Sequence, residues 1–190
     1  MSEPDSSMAA GETRLGRFVQ QLTHEIDRGS PNEQDFMDRI ASAMRDLVAR
    51  DDWLDERHSV ADPDRYQQYL LHRDPANRFS VVSFIWGPGQ HTPIHDHGVW
   101  GVVGMLRGAE ISQSFTWRDA ELIGGSAQVL IPGDVMTFTP VSGDVHRVRN
   151  AFADRISISI HAYGADIGTI ERHAFGEDGT VKSFVSGYSN

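Results

Sequence analysis

Apolar residues first recur at helical spacing: Leu15, Phe18, Val19, Leu22 and Ile26 share one stripe, predicting an amphipathic helix that ends near Gly29. Ser30-Pro31-Asn32-Glu33 then reads as a fresh helix start, with Ser30 as cap, Pro31 in the first helical position and Glu33 three residues after the cap. Phe36, Ile40, Met44, Leu47 and Val48 continue that second helix on one face. Residues 51–64 form a charged connection containing Trp53, Leu54 and Pro63, and beyond it the period shortens to two. Segments 66–71, 79–86, 99–106, 110–117, 126–131, 135–138, 146–149 and 156–163 read as short strands between Gly and Pro breakers, with 181–185 as a closing edge strand. The clearest alternation places Ile156, Ile158 and Ile160 on one face and Ser159, His161 and Tyr163 on the other.

Two helices followed by many short strands predict an all-β sandwich or barrel with the helices packed on its outside. Residues 1–12, polar and small, are expected to form a flexible tail; 13–50 form the helical segment and 51–190 the β domain. A chain of 190 residues suits a single core.

Charge and composition narrow the partners. With 27 acidic against 17 basic residues the net charge is -10, which repels phosphate backbones and anionic lipid, so neither nucleic acid nor membrane is an expected partner. No stretch approaches the roughly 20 apolar residues of a membrane helix and the first residues lack a signal-peptide pattern, so the expected compartment is the cytoplasm. The absence of cysteine excludes disulfides, thiolate metal sites and a cysteine nucleophile. Any metal must be held by nitrogen and oxygen.

The stretch Thr92-Pro93-Ile94-His95-Asp96-His97-Gly98 carries two histidines two residues apart in a β-like run, so both imidazoles can enter one cavity. A His-x-His pair alone does not define a metal site. Its flanks add to it: Gly89, five residues, His95-x-His97 and later Gly108 have the spacing of the first cupin motif. Pro132-Gly133-Asp134-Val135, Pro140 and His146-x-x-x-Asn150 have that of the second. The resemblance to the cupin superfamily covers residues 66–163 and implies a jelly-roll-like β-barrel in which His146 joins His95 and His97 on one metal. Cupins commonly supply a glutamate after three or four intervening residues, but those positions are Gly101 and Val102 here. Three neutral ligands leave the charge of a divalent ion uncompensated and positions open for a thiolate and dioxygen, a setting that suits iron(II).

Phe84-Ile85-Trp86-Gly87-Pro88-Gly89, Pro93-Ile94-His95-Asp96-His97, His146 and Ser159-x-His161-x-Tyr163 together resemble the cysteine dioxygenase family of thiol dioxygenases. The resemblance implies a non-haem Fe(II) held by three histidines that adds both atoms of dioxygen to a small thiol. It also implies a hydrogen-bonded Ser159–His161–Tyr163 chain beside the metal, with Tyr163 directed at the reacting oxygen or the substrate. Mammalian-type members carry a substrate-binding arginine where this chain has Gln68, and a cysteine that crosslinks the tyrosine, which this chain lacks. Both departures resemble the bacterial branch acting on 3-mercaptopropionate, where a later arginine binds the carboxylate; Arg172 is its positional match. The resemblance therefore favours 3-mercaptopropionate over L-cysteine, with Arg172 and Gln68 at the substrate.

The remaining histidines carry less. His24, His58 and His72 sit among polar neighbours and are expected to be exposed; His91 is no nearer than the surroundings of the ligands, and His173 follows Arg172. Asp96 is expected to orient a loop or backbone, and Trp100 to be core or pocket wall. The rival readings are a zinc or manganese cupin isomerase or hydrolase, and a cupin sensor that binds a small anion without turnover.

Overall fold

The computed structural model describes residues 13–190 except Pro31 and Ala120; the expected flexible tail and the proline of the second helix start lie outside the described residues. Helix α1, Arg14–Arg28, starts where the Thr13 hydroxyl accepts the Gly16 N–H, and stops at Gly29 with φ 64°, a left-handed position suited to glycine. Helix α2, Glu33–Val48, is capped by Asn32, not by Ser30 as the pattern suggested. The Asn32 carboxamide oxygen accepts from the Gln34 and Asp35 N–H groups, satisfying two orphan donors, while the Ser30 hydroxyl donates to the Asn32 carbonyl. A short 3-10 turn, Glu56–His58, lies in the charged connection.

Eleven strands follow among the described residues: β1 Gln67–Arg73, β2 Ser80–Trp86, β3 Ile94–His95, β4 Gly101–Arg107, β5 Glu110–Arg118, β6 Glu121–Leu130, β7 Val135–Phe138, β8 His146–Asn150, β9 Ser157–Tyr163, β10 Arg172–Phe175 and β11 Val181–Phe184. They form two antiparallel sheets, in the orders β1-β2-β9-β4-β7 and β11-β10-β3-β8-β5-β6. The result is the all-β fold with two N-terminal helices that the pattern predicts, in the cupin-type arrangement that the motif resemblance implies.

The strands depart from the pattern at two places. The β-like run at His95 yields only the two-residue strand β3, paired through His95 with His146, and β10 is not legible because it is held by pairing with a distant segment, Ala174 with His95, and has too few residues to show its own alternation. Strand β6 starts at Glu121, five residues before the expected start; Gly124 and Gly125 interrupt its side-chain pattern.

The five-stranded sheet is buried on both faces. On the outer face Val81, Ile85, Val102, Leu106, Ile158 and Ile160 pack against Phe18, Leu22, Ile40, Met44 and Leu47 of the helices. A side chain at Gly104 would meet Met44 and Val48 at 2.7–2.8 Å, so its absence lets α2 lie directly on β4. The inner face packs Val82, Phe84, Trp86, Val103 and Met105 with Leu130 and Val148 of the other sheet. Strand β9 therefore points its isoleucines outward to the helices and Ser159, His161 and Tyr163 into the barrel, all of them buried.

The turn from β1 to β2 is closed by Asp74. Its buried carboxylate accepts from the Ala76 and Arg78 N–H groups and from the Arg78 guanidinium, which also reaches Asp27 of α1. These hydrogen bonds, Arg78's side chain foremost, hold the Asp74 carboxyl down to about 2. The stabilisation is complete above the ordinary aspartate pKa near pH 4 and is lost as pH falls toward 2. Asp74→Asn should cost about 1–2 kcal/mol at pH 7, since Arg78 is partly solvent-screened, and the gap to wild type should close by pH 2 in urea melts. A constant gap from pH 7 to pH 2 would contradict the assignment.

Candidate metal centre

His95 comes from β3 and His146 from β8, cross-strand partners in the same sheet. His97 lies beyond the end of β3, so strand alternation does not place it, contrary to the simple reading of His-x-His. A turn does so instead: the Asp144 carboxylate accepts the His97 N–H at 3.0 Å and the Gly98 N–H at 2.8 Å, and Gly98 takes φ 66°. The three rings stand at centroid separations of 4.8 Å for every pair, and their ligand nitrogens lie within 4.8 Å of one another.

Each ring is oriented through its other nitrogen. His95 Nδ1–H donates to the Pro93 carbonyl at 3.0 Å and His97 Nδ1–H to the Asp144 carbonyl at 2.9 Å, while His146 Nδ1 pairs with the Ser112 hydroxyl at 3.0 Å. A carbonyl only accepts, so the first two rings keep their Nε2 lone pairs for the cavity. Burial lowers the basicity of all three, His95 to about 4 and His97 and His146 well below the usual histidine range, so they are neutral donors at physiological pH. This donor set fits a divalent transition ion.

The place of a cupin glutamate is filled by a ring. Phe138 is paired with Gly101, and a side chain there would meet the phenyl carbons at 2.2–2.5 Å. The same ring lies 4.3 Å from that of His97. Among the described residues no carboxylate joins the three-histidine cluster.

Beside the histidines, Ser159 Oγ is 2.8 Å from His161 Nε2, and His161 Nδ1 is 2.8 Å from the Tyr163 hydroxyl. Trp86 Nε1–H donates to Ser159 at 3.1 Å, and a serine oxygen that accepts there can still give its own hydrogen to His161 Nε2. In that arrangement His161 donates to the Tyr163 oxygen, leaving the phenol hydrogen for the cavity. Burial drives His161 down to about 3 and raises Tyr163 above the usual tyrosine range, so both are neutral. The sequence reading missed Glu110, fully buried and raised to about 7 by that burial. Ser159 and Trp86 oppose the rise, yet neither carboxyl oxygen meets a partner in hydrogen-bond geometry.

A cavity of about 310 Å³ opens next to His95 and Tyr163, and Arg172, Gln68, Tyr66, Phe84 and Lys182 line it. All eight residues singled out from the sequence thus gather at this cavity or directly behind it. The others lie elsewhere or hold it together. Asp96 accepts from the backbone and ring of His173, tying β3 to β10. Trp100 packs on Phe36 in the helical layer and does not wall the cavity. His91 sits on the outer face of the six-stranded sheet, bridged to Arg149. His24 is exposed; His58 and His72 are half-buried against Tyr69 and Phe79, because their rings cover aromatic neighbours. Asp144, Ser112 and Lys182 were not legible: they act through loop or cross-sheet geometry with no motif of their own.

These features define a non-haem metal protein of cupin type with a three-histidine centre. The model of the family described as cysteine dioxygenase type I matches residues 3–176, and the chain belongs to that family. Similar solved structures include TT1209 from Thermus thermophilus, with 18% identity over 58% of this chain and 92% of that one at a TM-score of 0.47. A cupin-like protein from Thermotoga maritima shares 23% identity over 52% of this chain and 67% of that one, at a TM-score of 0.42. No helix among the described residues is long and apolar enough to cross a membrane.

His97→Ala should abolish stoichiometric binding of a divalent transition metal, measured by plasma emission after gel filtration. Asp144→Ala, which leaves all three ligands but loosens the turn, should weaken binding by about tenfold. Full retention of metal by His97→Ala would remove the ligand assignment.

Proposed function

We propose that the protein is an iron(II) thiol dioxygenase that converts a small thiol carboxylate to its sulfinate, with 3-mercaptopropionate preferred to L-cysteine. The observation that carries the reading is the placement of one cavity against both the three-histidine centre and Tyr163, with Arg172 on its wall. Family membership supports the reaction class. Iron(II), when bound by His95, His97 and His146, supplies the redox chemistry that joins dioxygen to a thiolate.

The chain's own residues do the rest. Arg172 is buried, and its guanidinium offers a carboxylate directional, charge-assisted hydrogen bonds that anchor the substrate with its sulfur toward the histidines. Tyr163 holds a phenol proton at the cavity, and His161 and Ser159 fix its direction. Phe84, Phe184 and the buried strands exclude water from the thiolate. The thiolate gains both oxygen atoms and leaves as a sulfinate of the same charge.

Substrate preference follows from the cavity's electrostatics. Arg172 and Lys182 line it, and among the described residues no aspartate or glutamate does. The ammonium of L-cysteine would meet two cations and no counter-charge, whereas 3-mercaptopropionate carries only the carboxylate.

Iron-loaded protein should therefore show at least about tenfold higher kcat/KM for 3-mercaptopropionate than for L-cysteine, with sulfinate identified by mass. Arg172→Ala should raise KM for 3-mercaptopropionate by about tenfold or more, and Tyr163→Phe should lower kcat by about 10–100-fold with metal content unchanged. Equal efficiency on the two thiols, or an Arg172→Ala variant that leaves KM unchanged, would contradict the substrate reading.

A further inference from the structure

Beyond β11 the chain crosses from the edge of the six-stranded sheet to β1, the edge of the five-stranded sheet, as a strap of residues 185–190. It is fastened mainly through side chains: Ser189 N–H donates to the Gln68 carbonyl at 2.8 Å, Gln68 N–H donates to the Ser189 hydroxyl at 2.9 Å, and the Asn190 carboxamide pairs with both backbone groups of Leu70 at 3.0 Å. The Tyr188 hydroxyl donates to Asp166 and accepts the Gly168 N–H. The family match ends at residue 176, so this strap lies in the part of the chain that the family likeness does not cover.

The strap places Ser186 on the cavity wall between the two residues expected at the substrate. Arg172 Nη2–H donates to Ser186 Oγ at 2.6 Å, and Gln68 Nε2–H donates to the same oxygen at 3.1 Å. The second Gln68 amide hydrogen goes to the Gly187 carbonyl at 3.0 Å. Both Gln68 donors are thus used by the strap and are not offered to a ligand.

A serine oxygen that accepts twice still has its own hydrogen to give, and neither of these partners can take it. Arg172 is 5% exposed and its Nε–H is buried with no acceptor, although an unmet guanidinium N–H is costly. Phe184 lies under the guanidinium at 4.7 Å and fixes its plane.

We propose that Ser186 completes the carboxylate seat: one ligand oxygen accepts from the Arg172 guanidinium and the other from the Ser186 hydroxyl, while Gln68 orients that hydroxyl instead of touching the ligand. The ligand class is a compact monocarboxylate bearing a thiol, and this assignment rests on the dioxygenase reading for the thiol end. Gln68 then acts as a positioning residue, and substrate choice depends on a segment outside the two cupin motifs.

The test compares wild type, Ser186→Ala and Ser186→Thr, all iron-loaded. Anaerobic calorimetry measures binding of 3-mercaptopropionate and of 2-mercaptoethanol, which lacks the carboxylate, and steady-state assays measure sulfinate from both. Ser186→Ala should lower the preference for 3-mercaptopropionate over 2-mercaptoethanol about tenfold, through Kd and KM more than kcat, and Ser186→Thr should restore it. The bonds of Ser189, Asn190 and Tyr188 keep the strap in place, and a melting temperature within a few degrees of wild type checks this. An unchanged preference in Ser186→Ala, an equal loss for both thiols, or no recovery in Ser186→Thr would overturn the seat. Selective loss of binding without sulfinate from any variant would support the seat and sink the dioxygenase reading; sulfinate from wild type with no effect of Ser186→Ala would do the reverse.

Discussion

The site depends on one strand that turns its polar side into the barrel. Strand β9 directs Ile158 and Ile160 away from the interior and Ser159, His161 and Tyr163 into it. That arrangement holds only if another layer covers the isoleucines, and helices α1 and α2 provide it, with the missing side chain of Gly104 letting α2 come close. The interior is then released from forming the whole core. Trp86, Ser159, His161 and Tyr163 are buried there and satisfied by one another, which makes their burial tolerable.

The same principle of orientation through a second atom governs the metal centre. Each imidazole has its Nδ1 engaged by an oxygen of the protein, which turns the Nε2 side toward a common point. Burial keeps all three neutral, so the charge at the centre comes from whatever binds there. Phe138 over Gly101 keeps a fourth protein ligand out, and the neighbouring cavity opens on Arg172. A neutral ligand set and a cationic wall both favour an anionic substrate.

Much of this was legible in the sequence. The helices showed their stripes, most strands their alternation, and the ligands their two motifs, because those signals lie within a few residues of one another. What escaped was set by distant partners. Strand β10 exists through pairing across the sheet, and His97 is placed by Asp144, 47 residues away along the chain. The α2 cap moved to Asn32 because serine and asparagine are near-equal caps and only the local path decides between them. Ser186 has no motif; its meaning comes from converging with Gln68 and Arg172. Local chemistry was readable, and the groups that orient it were not.

If three neutral histidines and Tyr163 serve the transfer of both atoms of one dioxygen to a substrate sulfur, turnover of 3-mercaptopropionate by iron-loaded protein under isotopically heavy dioxygen in ordinary water will show it, with the product weighed by mass spectrometry. Both new oxygens of the sulfinate should carry the label. A sulfinate with oxygen drawn from water, or recovery of the thiol only as itself or its disulfide, would contradict it.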